Sequence, residues 1–214
     1  MSVHAGAPPA AGAIEITTAA QFFAHLVKVI SSGRFLKMQG LGNEIPFYIC
    51  PFKPEIAFEM ERMRGQLINK LTQEGISVLD INLYDISIAI LKDRNDLFNK
   101  LTADESDMPK DYFLETLGNV LDPKAYIVPE IERRSREAGD YDVMFISGAG
   151  EVFPYIRSHN ILEELQIAVK NKPVVMFFPG EYAYSIGSGS SLKLFGRLED
   201  NKYYRAQNIL NYRA

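Results

Sequence analysis

Gly148-Ala149-Gly150, directly after the apolar run Tyr141 to Ser147, is where this sequence comes nearest to cofactor chemistry. Glycines at such a turn let backbone amides approach a pyrophosphate, and a third glycine lets the following helix pack against the strand. Phe153 occupies that third position, so the segment reads as a bare tight turn. A phosphate cradle of the P-loop type needs glycines followed by lysine, and the chain contains no Gly-Lys pair. His4, His25 and His159 match no metal-ligand spacing, and His25 falls at the edge of an apolar helix face, where a structural role is expected. Gly187 to Ser191 spells most of a serine-nucleophile elbow, but Ser191 stands where the last glycine is required. Cys50 closes an apolar run and reads as a buried structural thiol.

Three clusters survive this search. Arg157, Ser158 and His159 open a helix and could bind an anion through free amides and the guanidinium, although capping and a surface ion pair explain them equally well. Glu181 and Tyr182 follow an apolar strand at the edge of a possible site. Tyr203, Tyr204 and Arg205 are of types enriched at protein interfaces and equally at home in an aromatic core. The turn-like segment Gly40 to Ile45 adds Asn43 and Glu44 as candidate interaction residues.

These residues need a scaffold, and the hydrophobic spacing describes one. Thr18 and Gln21 have capping-box spacing and start a helix that runs to about Ser31, with Gly33 ending it. Pro46 to Cys50 has the length and composition of a strand, stopped by Pro51. Ile56, Met60, Met63, Leu67 and Leu71 mark one face of a helix from Pro54 to Glu74, closed by Gly75. A second strand covers Ile76 to Leu83. Short helices follow over Tyr84 to Lys92 and Asp93 to Leu101, and an acidic loop at Asp104 to Asp107. Further helices cover Pro109 to Gly118 and Asp122 to Ala138, with Pro129 starting or kinking a turn.

Tyr141 to Ser147 and Pro173 to Phe178 are continuous apolar runs, as in strands covered on both faces. The helix between them is expected to be capped by Ser158 and to bury Ile161, Leu162, Leu165 and Val169. Ser185 to Ser191 is a connector, Leu192 to Gly196 an edge strand, and an aromatic helix begins near Asn201. The alternation predicts an α/β fold of three layers: a mostly parallel sheet of four to five strands with helices on both faces, of P-loop-NTPase-like topology without a P-loop. Ligand sites in such sheets lie at the carboxyl ends of the strands, which places Pro51 to Pro54, Asp80 to Asp85, Gly148 to Phe153 and Pro179 to Tyr184 first.

Of 214 residues 47% are hydrophobic, enough for one sizeable core, so residues 17–214 are expected to form a single domain behind a tail at residues 1–16. The net charge of -4 repels polyanions and disfavours direct nucleic-acid or membrane-surface binding. A lone cysteine in a chain of this size suits a reducing compartment. No apolar run reaches the roughly 20 residues that span a bilayer, and the start of the chain has no signal-peptide pattern, so a cytoplasmic location is expected.

The segments GLGNEIPFYI (40–49), ISVLDINLYD (76–85), RSHNILEEL (157–165), PVVMFFPGEY (173–182) and LFGRLEDNKYYRAQNIL (194–210) resemble the BrxB family of bacteriophage exclusion (BREX) systems, over roughly residues 20–212. The resemblance implies a small core component of a bacterial phage-defence operon. Such operons also encode an AAA-type ATPase, an adenine DNA methyltransferase and the alkaline-phosphatase-like PglZ. It implies an adaptor whose direct partner is PglZ, with no cofactor and no assigned catalytic residue to carry over. The N-terminal tail and a longer loop at Ala183 to Ser191 depart from the family pattern. Three functions are therefore weighed: a non-catalytic binding module, a degenerate nucleotide-binding domain, and a hydrolase or nuclease built on Glu181, Arg157 and His159.

Overall fold

The computed structural model describes residues 18–39, 46–94, 97–185, 189–200 and 206–213. Thr18 starts helix α1 (Ala19–Ile30) by accepting from the Gln21 amide at 3.2 Å, while the Gln21 side chain accepts from the Thr18 amide at 3.1 Å. That is the reciprocal cap their spacing predicts. Ser31 rather than Gly33 closes α1, because Gly33 opens a one-turn helix, α2 (Gly33–Leu36), capped by Ser32. Strand β1 (Phe47–Phe52) leads into α3 (Ala57–Gln73), then β2 (Val78–Asn82) and α4 (Leu83–Asp93). After α5 (Leu97–Asp104) and α6 (Lys110–Val120), a π-helical turn at Pro123–Ile127 feeds α7 (Val128–Ala138). Pro129 sits in the first turn of α7, directly after the π-helical turn, and so marks the change of helix type without ending the helix. The order ends with β3 (Val143–Ser147), α8 (Ser158–Ala168), β4 (Val174–Ser185), β5 (Gly189–Leu194), β6 (Leu198–Asp200) and β7 (Gln207–Asn208).

Five strands pair in parallel in the order β2-β3-β4-β1-β7, and their residues alternate between two cores. Phe47, Ile49, Met144, Ile146, Val174 and Met176 pack with the helices α4 to α8. Tyr48, Cys50, Val143, Phe145, Val175 and Phe177 pack with α1, α2 and α3. The expected three-layer α/β architecture is therefore present, and period-two alternation within fully apolar strands is what serves both layers at once.

The expected breaks at Pro51 and after Phe178 do not occur. Pro51 lies inside β1 opposite Phe178, and β4 continues through Pro179 and Gly180 into an antiparallel hairpin with β5, which in turn pairs with β6. The reason is local. The β7 ladder ends at Ile49 and the β3 ladder at Met176, so each proline sits where its strand has only one neighbour, a position that tolerates a missing donor. The expected edge strand is shifted to Gly189–Leu194, and Phe195 and Gly196 form a turn, with φ of 54° and 66°. Where the final helix was expected, the described residues instead form β7 and a 3-10 turn, Ile209–Asn211. Ile209 is fully buried beneath α1, and the His25 Nε2 donates to its carbonyl at 3.1 Å, so tertiary burial overrides local helical preference and His25 has the structural role expected of it. Cys50 is also fully buried, and burial pushes its thiol pKa up.

On α7, Glu130 accepts from Arg133 (2.7 Å from Nε and from Nη2) and from Arg134 Nε at 2.8 Å. These bonds, Arg133 foremost, lower its pKa from 4.5 to about 2. A folded pKa below the unfolded one stabilises the fold above pH 4.5, and that contribution is lost as the pH falls toward 2. Urea midpoints of the parent and of Glu130→Gln should thus differ at neutral pH and converge across that window. A constant difference would refute the linkage.

Candidate functional site

The connections leaving β1 and β3 go to opposite faces of the sheet, β1 to α3 and β3 toward α8, with β4 between them. A crevice must open where such connections part, at the carboxyl ends of the strands. A cavity of about 500 Å³ lies there, within the range of small-ligand and side-chain pockets. Phe52 and Pro54 come from the β1 tip, and Ala57, Phe58, Met60, Glu61 and Arg64 from the start of α3. Ser147 to Glu151 come from the β3 tip, Phe177 and Pro179 from β4, and Phe195 from the β5–β6 turn.

Three glycines near this cavity are forced by close approach. Gly148 has φ +81°, and a Cβ there would lie 2.7 Å from Asn82 Oδ1, the atom that caps α4 by accepting from the Tyr84 and Asp85 amides at 2.8 and 3.2 Å. A Cβ on Gly180 would come within 2.2 Å of the Lys193 carbonyl, so only glycine lets β4 cross from the parallel sheet into the hairpin. On Gly150 it would meet the Phe195 ring and Pro179 at 3.0 Å. The hairpin thus seats Phe195 over the β3 turn, where its ring also meets Phe153 edge-on at 6.4 Å.

The polar side of the cavity is acidic. Arg64 is only 7% exposed and donates to Glu61 and, across to β2, to Asp80. Burial opposes its charge, yet these bonds outweigh that and hold the guanidinium above its ordinary pKa. Glu151 is pushed up from the usual carboxylate range by partial burial and by Glu61 and Asp85, against a smaller opposing pull from Arg64. Ser147 is 5% exposed, and its Oγ has no hydrogen-bond partner among the described residues. A buried hydroxyl left unpaired on a cavity wall is an uncompensated polar group that a ligand could satisfy.

The residues singled out from the sequence are placed differently. Arg157 is the N-cap of α8 and Ser158 its first residue, so Ser158 does not cap the helix as expected; the Arg157 carbonyl instead accepts the Asn160 amide at 3.1 Å. The Ser158 Oγ is buried without a hydrogen-bond partner among the described residues, beside a second cavity of about 40 Å³ shared with Arg157, Phe178 and Leu198. His159 is buried in α8, and Glu181 is exposed on β4 opposite Lys193. Tyr182 donates its hydroxyl to the Ala206 carbonyl. Arg157 and Ser158 are therefore brought together, while Glu181 and His159 line neither cavity. Asn43, Glu44, Tyr203, Tyr204 and Arg205 lie outside the described residues, as does the expected tail at residues 1–16.

The strand-tip rule located the loops around the cavity but missed Glu61 and Arg64 on α3. A signal was available: Met60, Arg64, Leu67 and Leu71 are the buried residues of α3, so an arginine occupies a core-facing position, and buried arginine demands partners.

The sequence model of the family described as BREX protein BrxB matches residues 79–209. A BREX protein BrxB of Bacillus cereus (strain H3081.97) is 30% identical over 190 residues, covering 85% of this chain and 92% of that protein. A BREX protein BrxB of Escherichia coli O9:H4 (strain HS) is 26% identical over 181 residues, covering 85% and 86% respectively. No solved structure matches.

Proposed function

This chain belongs to the BrxB family and is a component of a BREX system; from that premise we propose that it acts there as a non-catalytic, cytoplasmic adaptor that binds the alkaline-phosphatase-like component PglZ. The observation that supports an adaptor is the apolar rim of the strand-tip cavity. Phe58 is 75% exposed and Phe195 36%, both on the cavity, and Ile56, at 41%, lies between the lining residues Pro54 and Ala57. Large side chains left in water together are what a protein partner covers, and aromatic anchors carry most of the energy of such contacts. The AAA-type ATPase and the adenine DNA methyltransferase of the same operons are further candidates for the assembly. Among the described residues no helix is long and apolar enough to cross a membrane.

Co-expression with the neighbouring PglZ tests this reading. A single gel-filtration peak containing both chains is expected, insensitive to nuclease treatment. Two fully separate peaks would reject PglZ as the direct partner.

A degenerate nucleotide-binding domain has one observation in its favour: the cavity occupies the crevice where open α/β sheets place nucleotides. Against it, the lining carboxylates Glu61 and Glu151 would meet the phosphates with like charge. A flat thermal-shift response to millimolar ATP or GTP with magnesium would remove this reading.

A further inference from the structure

We propose that the strand-tip cavity is the receptor for an arginine side chain presented by the partner protein. The inference rests on the adaptor reading and deepens it by naming the chemistry of the contact.

Charge selects a cation. Among the described residues, the charges that reach Glu151 are Glu61, Asp85 and Arg64. Arg64 pairs with Glu61 and Asp80, while Glu151 carries the like charges of Glu61 and Asp85 against the single opposing charge of Arg64. The donors of Arg64 are directed at Glu61 and Asp80, which leaves Glu151 without an ion-pair partner among the described residues. A second cation entering the cavity would relieve the repulsion among these carboxylates, whereas an anion would add to it.

Shape selects a flat cation on an apolar stem. Phe58, Phe177 and Phe195 line the cavity, and a guanidinium plane stacks on aromatic rings more favourably than the compact, strongly hydrated ammonium of lysine. The Ser147 Oγ, buried on the same wall and without a hydrogen-bond partner among the described residues, is an acceptor still to be satisfied. The exposed rim argues for a partner protein over a free metabolite. A small molecule filling about 500 Å³ would leave Ile56, which does not line the cavity, and the outer part of Phe58 in water, while the segment carrying the arginine would cover them.

The probe is N-acetyl-arginine amide, with the neutral citrulline analogue as control, titrated into the ¹⁵N-labelled full chain. Expected are chemical-shift changes confined to the amides of 57–64 and 147–151, with the arginine probe at least tenfold tighter than the citrulline analogue. Glu151→Lys, an exposed position where the fold should survive, should abolish them while the melting temperature stays near that of the parent. Equal affinity for the two probes, shifts elsewhere, or unchanged binding to Glu151→Lys would overturn the proposal. The same variant separates the two readings in the PglZ co-expression. A parent complex that Glu151→Lys leaves intact overturns the arginine receptor and leaves the adaptor standing. Specific probe binding with no parent complex supports the cavity and rejects PglZ as its direct partner.

Discussion

Gly148→Ala is expected to lose about 3–5 kcal/mol of stability, from a side chain forced to positive φ together with overpacking against fixed neighbours. The new methyl would lie 2.7 Å from Asn82 Oδ1 and 3.1 Å from the Leu83 and Tyr84 amides. None of these can yield cheaply, because Asn82 ends β2 and caps α4 in one step, and β2 and β3 are paired up to Asn82 and Ser147. Gly75 provides the control. It has φ +80° with nothing within 4 Å, so Gly75→Ala should cost only the conformational penalty, about 1–2 kcal/mol. Urea unfolding of the two variants separates strain from collision. Equal losses would mean that the β2 and β3 tips do not meet as closely as described.

The second large effect concerns the buried guanidinium. Removing both carboxylates in Glu61→Gln/Asp80→Asn leaves Arg64, 7% exposed, with only neutral acceptors, and should cost about 2–4 kcal/mol. The estimate is at the lower end for a broken buried pair because Glu61 and Asp80 are themselves partly exposed. Adding Arg64→Met to that variant should return much of the loss, since the uncompensated charge is gone and an apolar chain fills the same path against Leu67 and Met60. Chemical denaturation of the three proteins decides it. A triple variant less stable than the double would show that the contribution of Arg64 is packing and not charge pairing.

The layers of this protein were readable from spacing. Continuous apolar runs at 143–147 and 174–178 meant strands buried on both faces, and the three-to-four-residue rhythm of Met60, Leu67 and Leu71 meant a helix against the sheet. The strand-tip rule likewise led to the loops after β1 and β3 and to Pro179 of β4, all of which line the cavity. Where the reading failed, it treated proline as a stop sign. Pro51 and Pro179 are tolerated because neighbouring strands end before reaching them, which depends on the lengths of β7 and β3 and not on any local property of proline. Ser158 was misplaced by one residue for a similar reason: several polar residues at a helix start can cap it, and only the path of the preceding chain chooses Arg157.

By itself, then, the sequence determined the order of the main helices and of strands β1 to β4, the two apolar layers and the family to which the chain belongs, because these are written in short-range periodicity and in local motifs. Tertiary structure alone decided the chemistry of the cavity. Asp80 meets Arg64 across 16 residues, Phe195 meets Gly150 across 45, and the Ser147 hydroxyl has no partner among the described residues. Such encounters depend on chain reversal and strand order, where loop closure costs grow only slowly with length, so no local pattern marks which distant residues will meet.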